Sequence, residues 1–115
     1  MLFRRGDIVL VLFPNSDLRT AKRQPVVVVQ ADGLKTGLPQ LVVAMVSSNL
    51  ARADHPSRVR VACTAGGFAE TGLLTDSVIM TDNLATVSET EIARRIGRLA
   101  DCRELDAAIR HTLAL

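Results

Sequence analysis

The chain has no Trp and no Tyr, and its aromatic side chains are Phe3, Phe13 and Phe68 among 115 residues. A series of stacked bases, each needing its own aromatic platform, is therefore not the expected way of holding single-stranded nucleic acid. Such a ligand would have to be gripped through phosphates and hydrogen bonds. Cysteine is scarce as well. Cys63 and Cys102 are too far apart for a CxxC-type ligand pair, and two thiols without an export signal are expected to be reduced and inert. Long apolar runs are missing: Asp7–Phe13 and Pro25–Val29 end far short of the roughly 18 residues that suggest a membrane-crossing helix. Met1–Arg5 does place charge before an apolar run, but Asp7 intrudes, Pro14 ends the run and no small-residue cleavage site follows, so no secretory leader is expected. The expectation is therefore a cytoplasmic protein of one domain, residues 1–115, with no membrane partner. Its 48 % hydrophobic residues suffice for a core.

Acidic residues are few in the first half. Residues 1–60 hold nine Arg and Lys (Arg4, Arg5, Arg19, Lys22, Arg23, Lys35, Arg52, Arg58, Arg60) against Asp7, Asp17, Asp32 and Asp54, a balance of +5, while the remainder carries −3. Solvated surface charge accounts for such a balance in many small proteins, but an N-terminal half of this sign also suits a polyanion.

Turn residues are dense and the segments between them short and β-branched, a pattern of strands. Strands are expected near Asp7–Phe13, Pro25–Gln30, Leu41–Val46, Arg58–Ala62 and Ser77–Thr81, with turns at Pro14–Asp17, Asp32–Gly33, Gly37–Pro39 and Gly66–Gly67. Arg58-Val59-Arg60-Val61 alternates, which puts its arginines on one face and its valines on the other. Ser88–Glu91 and Asp101–Glu104 both have the spacing of a helix capping box. The first is expected to open a single turn, with Arg95–Leu99 able to form a last strand. The second is expected to begin a helix whose apolar stripe is Leu105, Ala108, Ile109, Thr112 and Leu113. Together these give a mainly β fold of small-barrel type with a C-terminal helix.

Gly6-Asp7-Ile8-Val9-Leu10-Val11 with Phe13-Pro14, then Lys22-Arg23-Gln24-Pro25-Val26-Val27-Val28-Val29, then Val46-Ser47-Ser48, then Ser77-Val78-Ile79 with Asp82, resembles in order the MazF/PemK toxins of bacterial toxin–antitoxin systems, over nearly the whole chain. The resemblance implies an SH3-like β-barrel of the CcdB/PemK type. It also implies a homodimeric, metal-independent endoribonuclease that cuts single-stranded RNA, often mRNA, to 2′,3′-cyclic phosphate and 5′-hydroxyl ends, and a cognate antitoxin as partner. No cofactor or metal is expected, because neither His55 nor His111 has the neighbours of a metal site.

Metal-free cleavage uses the ribose 2′-OH as nucleophile, so the protein has to help remove a proton, neutralise charge on the phosphate and protonate the leaving oxygen. The family assigns these tasks to an Arg before the strand-starting Pro and to a Thr on a later strand. This chain has Gln24 and Ser47 at those positions, with Arg23 one residue earlier. Ser47 keeps the hydroxyl, whereas Gln24 lacks the charge. The expected catalytic set is Arg23, Ser47, Gln24 and Asp82, with Asn15, Ser16, Asp17, Arg19, Thr20, Lys22, Ser48 and Asn49 contacting RNA. Asp82 reads equally as a turn former, His55 as a loop residue and His111 as a cation near a helix end. Asp7 reads as structural. Two alternatives stay open: a weak or inactive module that binds antitoxin or RNA, for which Gln24 is the argument, and a gyrase-poisoning toxin of the same fold.

Overall fold

In the first strand both sets of alternate side chains are buried: Ile8, Val9 and Val11 are each wholly inaccessible to solvent. A strand covered on both faces belongs to a sheet with a core on each side. The computed structural model, which describes residues 3–14 and 21–115, has six strands: β1 (Asp7–Pro14), β2 (Ala21–Val28), β3 (Gln40–Ser47), β4 (Arg58–Val61), β5 (Ser77–Ser88) and β6 (Ile92–Arg98). A short helix α1 (Phe68–Thr71) follows β4, and α2 (Arg103–Leu113) ends the chain. The strands form one sheet in the order β4-β5-β3-β2-β1-β6, and each neighbouring pair is antiparallel.

One core joins Ile8, Val27, Ala44, Val46 and Ile79 to Leu105 and Ala108 of α2. The other gathers Val9, Val11, Val26, Val28, Leu41, Val43 and Val87, with Phe3 and Ile92 against it. Two devices fasten α2. The buried Thr81 hydroxyl lies 2.6 Å from the Ser57 carbonyl oxygen, which accepts from it, and 2.7 Å from the Thr112 hydroxyl. Arg5 donates from Nε to the Val29 carbonyl and pairs with Asp106. Asp7 is structural: it is buried, accepts the Arg4 N–H at 2.8 Å and lies 3.6 Å from Arg95.

The mainly β class with a C-terminal helix agrees with the sequence reading, but the sheet does not close into a barrel. β4 and β6 are its two edges, and the gap is filled by α1 and α2 rather than by hydrogen bonds between strands. Two glycines permit this. A Cβ on Gly97 of β6 would collide with the Glu70 carbonyl oxygen, and one on Gly72 with that of Ile96. Backbone therefore meets backbone across the seam.

Several boundaries differ from expectation. β2 begins at Ala21, four residues before the expected Pro25, because Ala21–Gln24 pair with β1. β5 continues to Ser88 because Asp82, which reads equally as a turn former, falls in a bulge: Met45 pairs with Met80 while Ala44 already pairs with Leu84. A bulge and a turn draw on the same small polar residues. Gly66-Gly67 leads into α1, with Gly67 as its N-cap at φ 86°. At α2 the N-cap is Cys102 and not Asp101; Asp101 instead accepts the Arg103 N–H at 2.9 Å and pairs with the Arg103 guanidinium. The single turn at Glu89–Glu91 does have the full Ser88/Glu91 capping box, and the alternative strand is realised as β6.

Gly97→Ala is expected to cost about 3 kcal/mol, because a methyl group would be driven into backbone that cannot rotate away. Gly66→Ala, where no atom lies within 4 Å of the added carbon, should stay within about 0.5 kcal/mol of the parent. Urea denaturation of the two variants beside the parent checks the contrast.

Candidate functional site

β2 and β3 separate before either strand ends. Their pairing runs through Val28–Val43, Val27–Ala44 and Val26–Met45 and stops there, one residue short of Pro25, which has no N–H to extend it. Beyond the break the Gln24 side chain crosses the gap, its Nε2 donating to the Val46 carbonyl oxygen. Gln24 thus spans the opening where a ladder hydrogen bond would otherwise lie.

A cleft opens on each side of this bridge. The first, of about 370 Å³, has an apolar floor that includes Leu10, Pro25 and Ile96, with Lys22, Arg23 and Arg94 as its charged lining and Leu73-Leu74 at its margin. The second, of about 300 Å³, is lined by Met45, Met80 and Asn83 with Lys22 and Arg52. Both share Lys22, Gln24, Val46, Ser47 and Ser48. Among the described residues every charged side chain lining either cleft is a cation, so this surface is complementary to an anion.

The register sorts the predicted residues between the two sides. Val9 and Val11 pair with Val26 and Gln24, while Leu10 and Leu12 pair with Pro25 and Arg23. Alternation then sets Arg23 on the opposite face from Gln24. In agreement, Arg23 lines the first cleft and is absent from the second. Ser47, adjacent to Gln24 across the break, lines both.

Ser47 is held for donation. Its Oγ accepts the Asn49 N–H at 3.1 Å, which leaves its own hydroxyl hydrogen to point elsewhere. The Asn49 side chain accepts from the Ala51 N–H at 3.2 Å and caps the 3-10 turn Leu50–Arg52. Asn49, expected at the RNA, thus builds the turn that follows Ser47. Ser48 is exposed and lines both clefts. Asn15, Ser16, Asp17, Arg19 and Thr20 lie outside the described residues.

Asp82 lines neither cleft. Its two oxygens accept from Arg58 Nε and Nη2 at 3.3 and 2.8 Å. The hydrogen bond from Arg58 holds the Asp82 carboxyl below the usual carboxylate range, against the opposing effect of burial, and the same bond raises Arg58. Arg58 Nη1 also donates to the Arg52 carbonyl oxygen at 3.0 Å. Asp82 therefore reaches the second cleft indirectly, by fixing the arginine that fixes the turn carrying Arg52. His55 accepts the Ser57 N–H at Nδ1 and stands edge-on to His111, 6.0 Å between ring centres; neither histidine lines the two clefts.

The residues that sequence reasoning missed are Arg52 and Arg94. Arg52 counted only towards net charge, although it lies five residues beyond Ser47, and Arg94 lies on a strand that the sequence left ambiguous.

A small antiparallel β protein with a C-terminal helix and a cationic double cleft at a strand break is the class that these features define. The family model described as the PemK-like, MazF-like toxin of type II toxin–antitoxin systems matches residues 4–113, and the chain belongs to that family. It is 31 % identical over 119 aligned positions to the endoribonuclease MazF2 of Mycobacterium bovis, covering all of both chains. To the endoribonuclease EndoA of Bacillus subtilis it is 27 % identical, covering all of this chain and 97 % of that one. The fold matches that of an endoribonuclease from a mycobacterial species, solved in complex with its cognate antitoxin, at a TM-score of 0.73 and 15 % identity over 98 % of this chain and 96 % of the other. No helix of the described residues is long and apolar enough to cross a membrane.

Because the Asp82 carboxyl titrates lower in the folded protein than in the unfolded chain, its pairing with Arg58 contributes stability above the unfolded pKa of about 3.9, and that contribution is lost as pH falls through the depressed folded value. Asp82→Asn should therefore be less stable than the parent at about pH 6, with the difference shrinking as the pH is lowered through the carboxyl's depressed folded value. Urea midpoints measured over this descent in pH check the sign.

Proposed function

We propose that the chain is the toxin of a type II toxin–antitoxin pair: a metal-independent endoribonuclease that cuts single-stranded RNA and leaves 2′,3′-cyclic phosphate and 5′-hydroxyl ends. The observation that carries this reading is the Ser47 hydroxyl, freed for donation by the Asn49 N–H, at the junction of two clefts whose charged lining among the described residues is cationic. Family membership and the naming of both curated relatives as endoribonucleases support it, and they favour it over an inactive module or a gyrase poison.

The chemistry follows from the donors. Ser47 hydrogen-bonds a non-bridging phosphoryl oxygen, and this bond strengthens as charge accumulates there during attack by the 2′-OH. Lys22 and Arg23 hold the flanking backbone, Arg23 from the first cleft, with Ser48 beside them. Gln24 keeps the strand break open and offers its amide oxygen to the substrate. The loop residues Asn15, Ser16, Asp17, Arg19 and Thr20, with Asn49, contribute to reading the strand in this account. The protein acts as a single domain in the cytoplasm, as a homodimer, and is silenced by its cognate antitoxin. The antitoxin of the mycobacterial complex is the precedent for such a partner.

The test is cleavage of a long single-stranded RNA in EDTA. Fragments should accept a 5′ label from polynucleotide kinase without prior phosphatase treatment, as 5′-hydroxyl ends do. Ser47→Ala should lower kcat about 100- to 1,000-fold with little change in KM, the size of loss typical when one donor to developing charge is removed. Absence of cutting by the parent, or cutting that Ser47→Ala leaves unaltered, overturns the proposal.

A further inference from the structure

Gln24 brings no charge to the strand break, where the guanidinium of the family's arginine would be, and Arg23 faces the other side of the sheet. The second cleft nevertheless contains a guanidinium. Arg52 lines it together with Ser47, Lys22 and Gln24, and three contacts hold it in place. Its N–H donates to the Asn49 carbonyl at 3.1 Å. Its own carbonyl accepts from Arg58, which Asp82 clamps in turn. Its Nη1 rests 3.9 Å from the Met80 sulfur.

That last contact matters for what the side chain can still do. A thioether is a weak acceptor, so it orients the guanidinium without satisfying it. Among the described residues Arg5, Arg58, Arg60, Arg95 and Arg103 each lie within 4 Å of a carboxylate, and Arg52 does not. Its planar donors remain available to two oxygens of one phosphate.

We infer that Arg52 is a catalytic residue of this chain: it binds the scissile phosphate beside Ser47 and neutralises the charge that grows there, supplying from the 3-10 turn the guanidinium that β2 lacks at Gln24. The inference rests on the ribonuclease reading above and adds to it the origin of the positive charge. No group is transferred to the protein. The 2′ oxygen forms a bond to phosphorus, the bond from phosphorus to the 5′ oxygen breaks, and Arg52 stays protonated throughout.

Steady-state cleavage of a single-stranded RNA in EDTA by purified parent, Arg52→Ala, Arg52→Lys and the double variant Arg52→Ala/Gln24→Arg tests this, with melting curves run on each. Arg52→Ala should lower kcat about 100-fold and leave KM within about threefold. Arg52→Lys should keep an intermediate activity, since it restores charge without the planar fork. The double variant should regain at least about tenfold over Arg52→Ala, because it returns a guanidinium to the same cleft. A merely structural role would lower the melting temperature of Arg52→Ala, with recovery in Arg52→Lys and none in the double variant. Cleavage by Arg52→Ala within about threefold of the parent, or failure of the double variant to recover, overturns the assignment of Arg52 and leaves the ribonuclease reading standing. A parent that cuts no RNA overturns both.

Discussion

The interruption of the β2–β3 ladder at Pro25 is the constraint on which the site depends. An imino acid cannot donate, so the strands diverge immediately beyond Val26 and Met45. In a continuous sheet the ends of these strands would be occupied in pairing with one another. Here they splay, Ser47 stands at the tip of β3, and clefts form on both faces. The Gln24 amide keeps the opening from widening by reaching the Val46 carbonyl. The polar end of the molecule is thus shaped by a missing hydrogen bond and by the side chain that replaces it.

The rest of the fold holds that break in place. Cores on both faces of the sheet pin β1, β2 and β3, and the backbone contacts at Gly72 and Gly97 fasten α1 across the edges that the strands leave open. Around the site the charges divide into two groups. Arg5, Arg58, Arg60, Arg95 and Arg103 are paired with carboxylates and serve the fold. Lys22, Arg23, Arg52 and Arg94 line the clefts. The modest net charge of +2 therefore understates the local field, because among the described residues no acid lines the clefts.

Much of the fold was legible from residues alone. Short β-branched segments between turn residues located β1 to β4 to within a few positions, and the stripe from Leu105 to Leu113 located α2. The misreadings have physical reasons. Asp82 reads equally as a turn former, and only the pairing around it distinguishes a bulge from a turn. Closure of a sheet depends on strand order, which local pattern does not encode. In the site, Ser47 and Gln24 were marked by the resemblance, which sets them at the family's Thr and Arg positions, and the register with β1 then shows Arg23 on the opposite face from Gln24. Arg52 was not legible as a site residue, because its position depends on a 3-10 turn folding back after β3, with Asn49 as its cap.

The central claim is that a single-stranded RNA lies over the strand break and not elsewhere on the molecule. The most direct measurement is a titration of ¹⁵N-labelled protein with a short RNA made uncleavable by 2′-deoxy substitution, followed through backbone amide shifts. The account predicts that the largest changes map to the amides of Lys22, Gln24, Ser47, Ser48 and Arg52, all lining the two clefts, while those of α2 stay still. Changes centred on the cavity between Gly66-Gly67 and Glu104, or no change at RNA concentrations that support cleavage of the natural substrate, would contradict it.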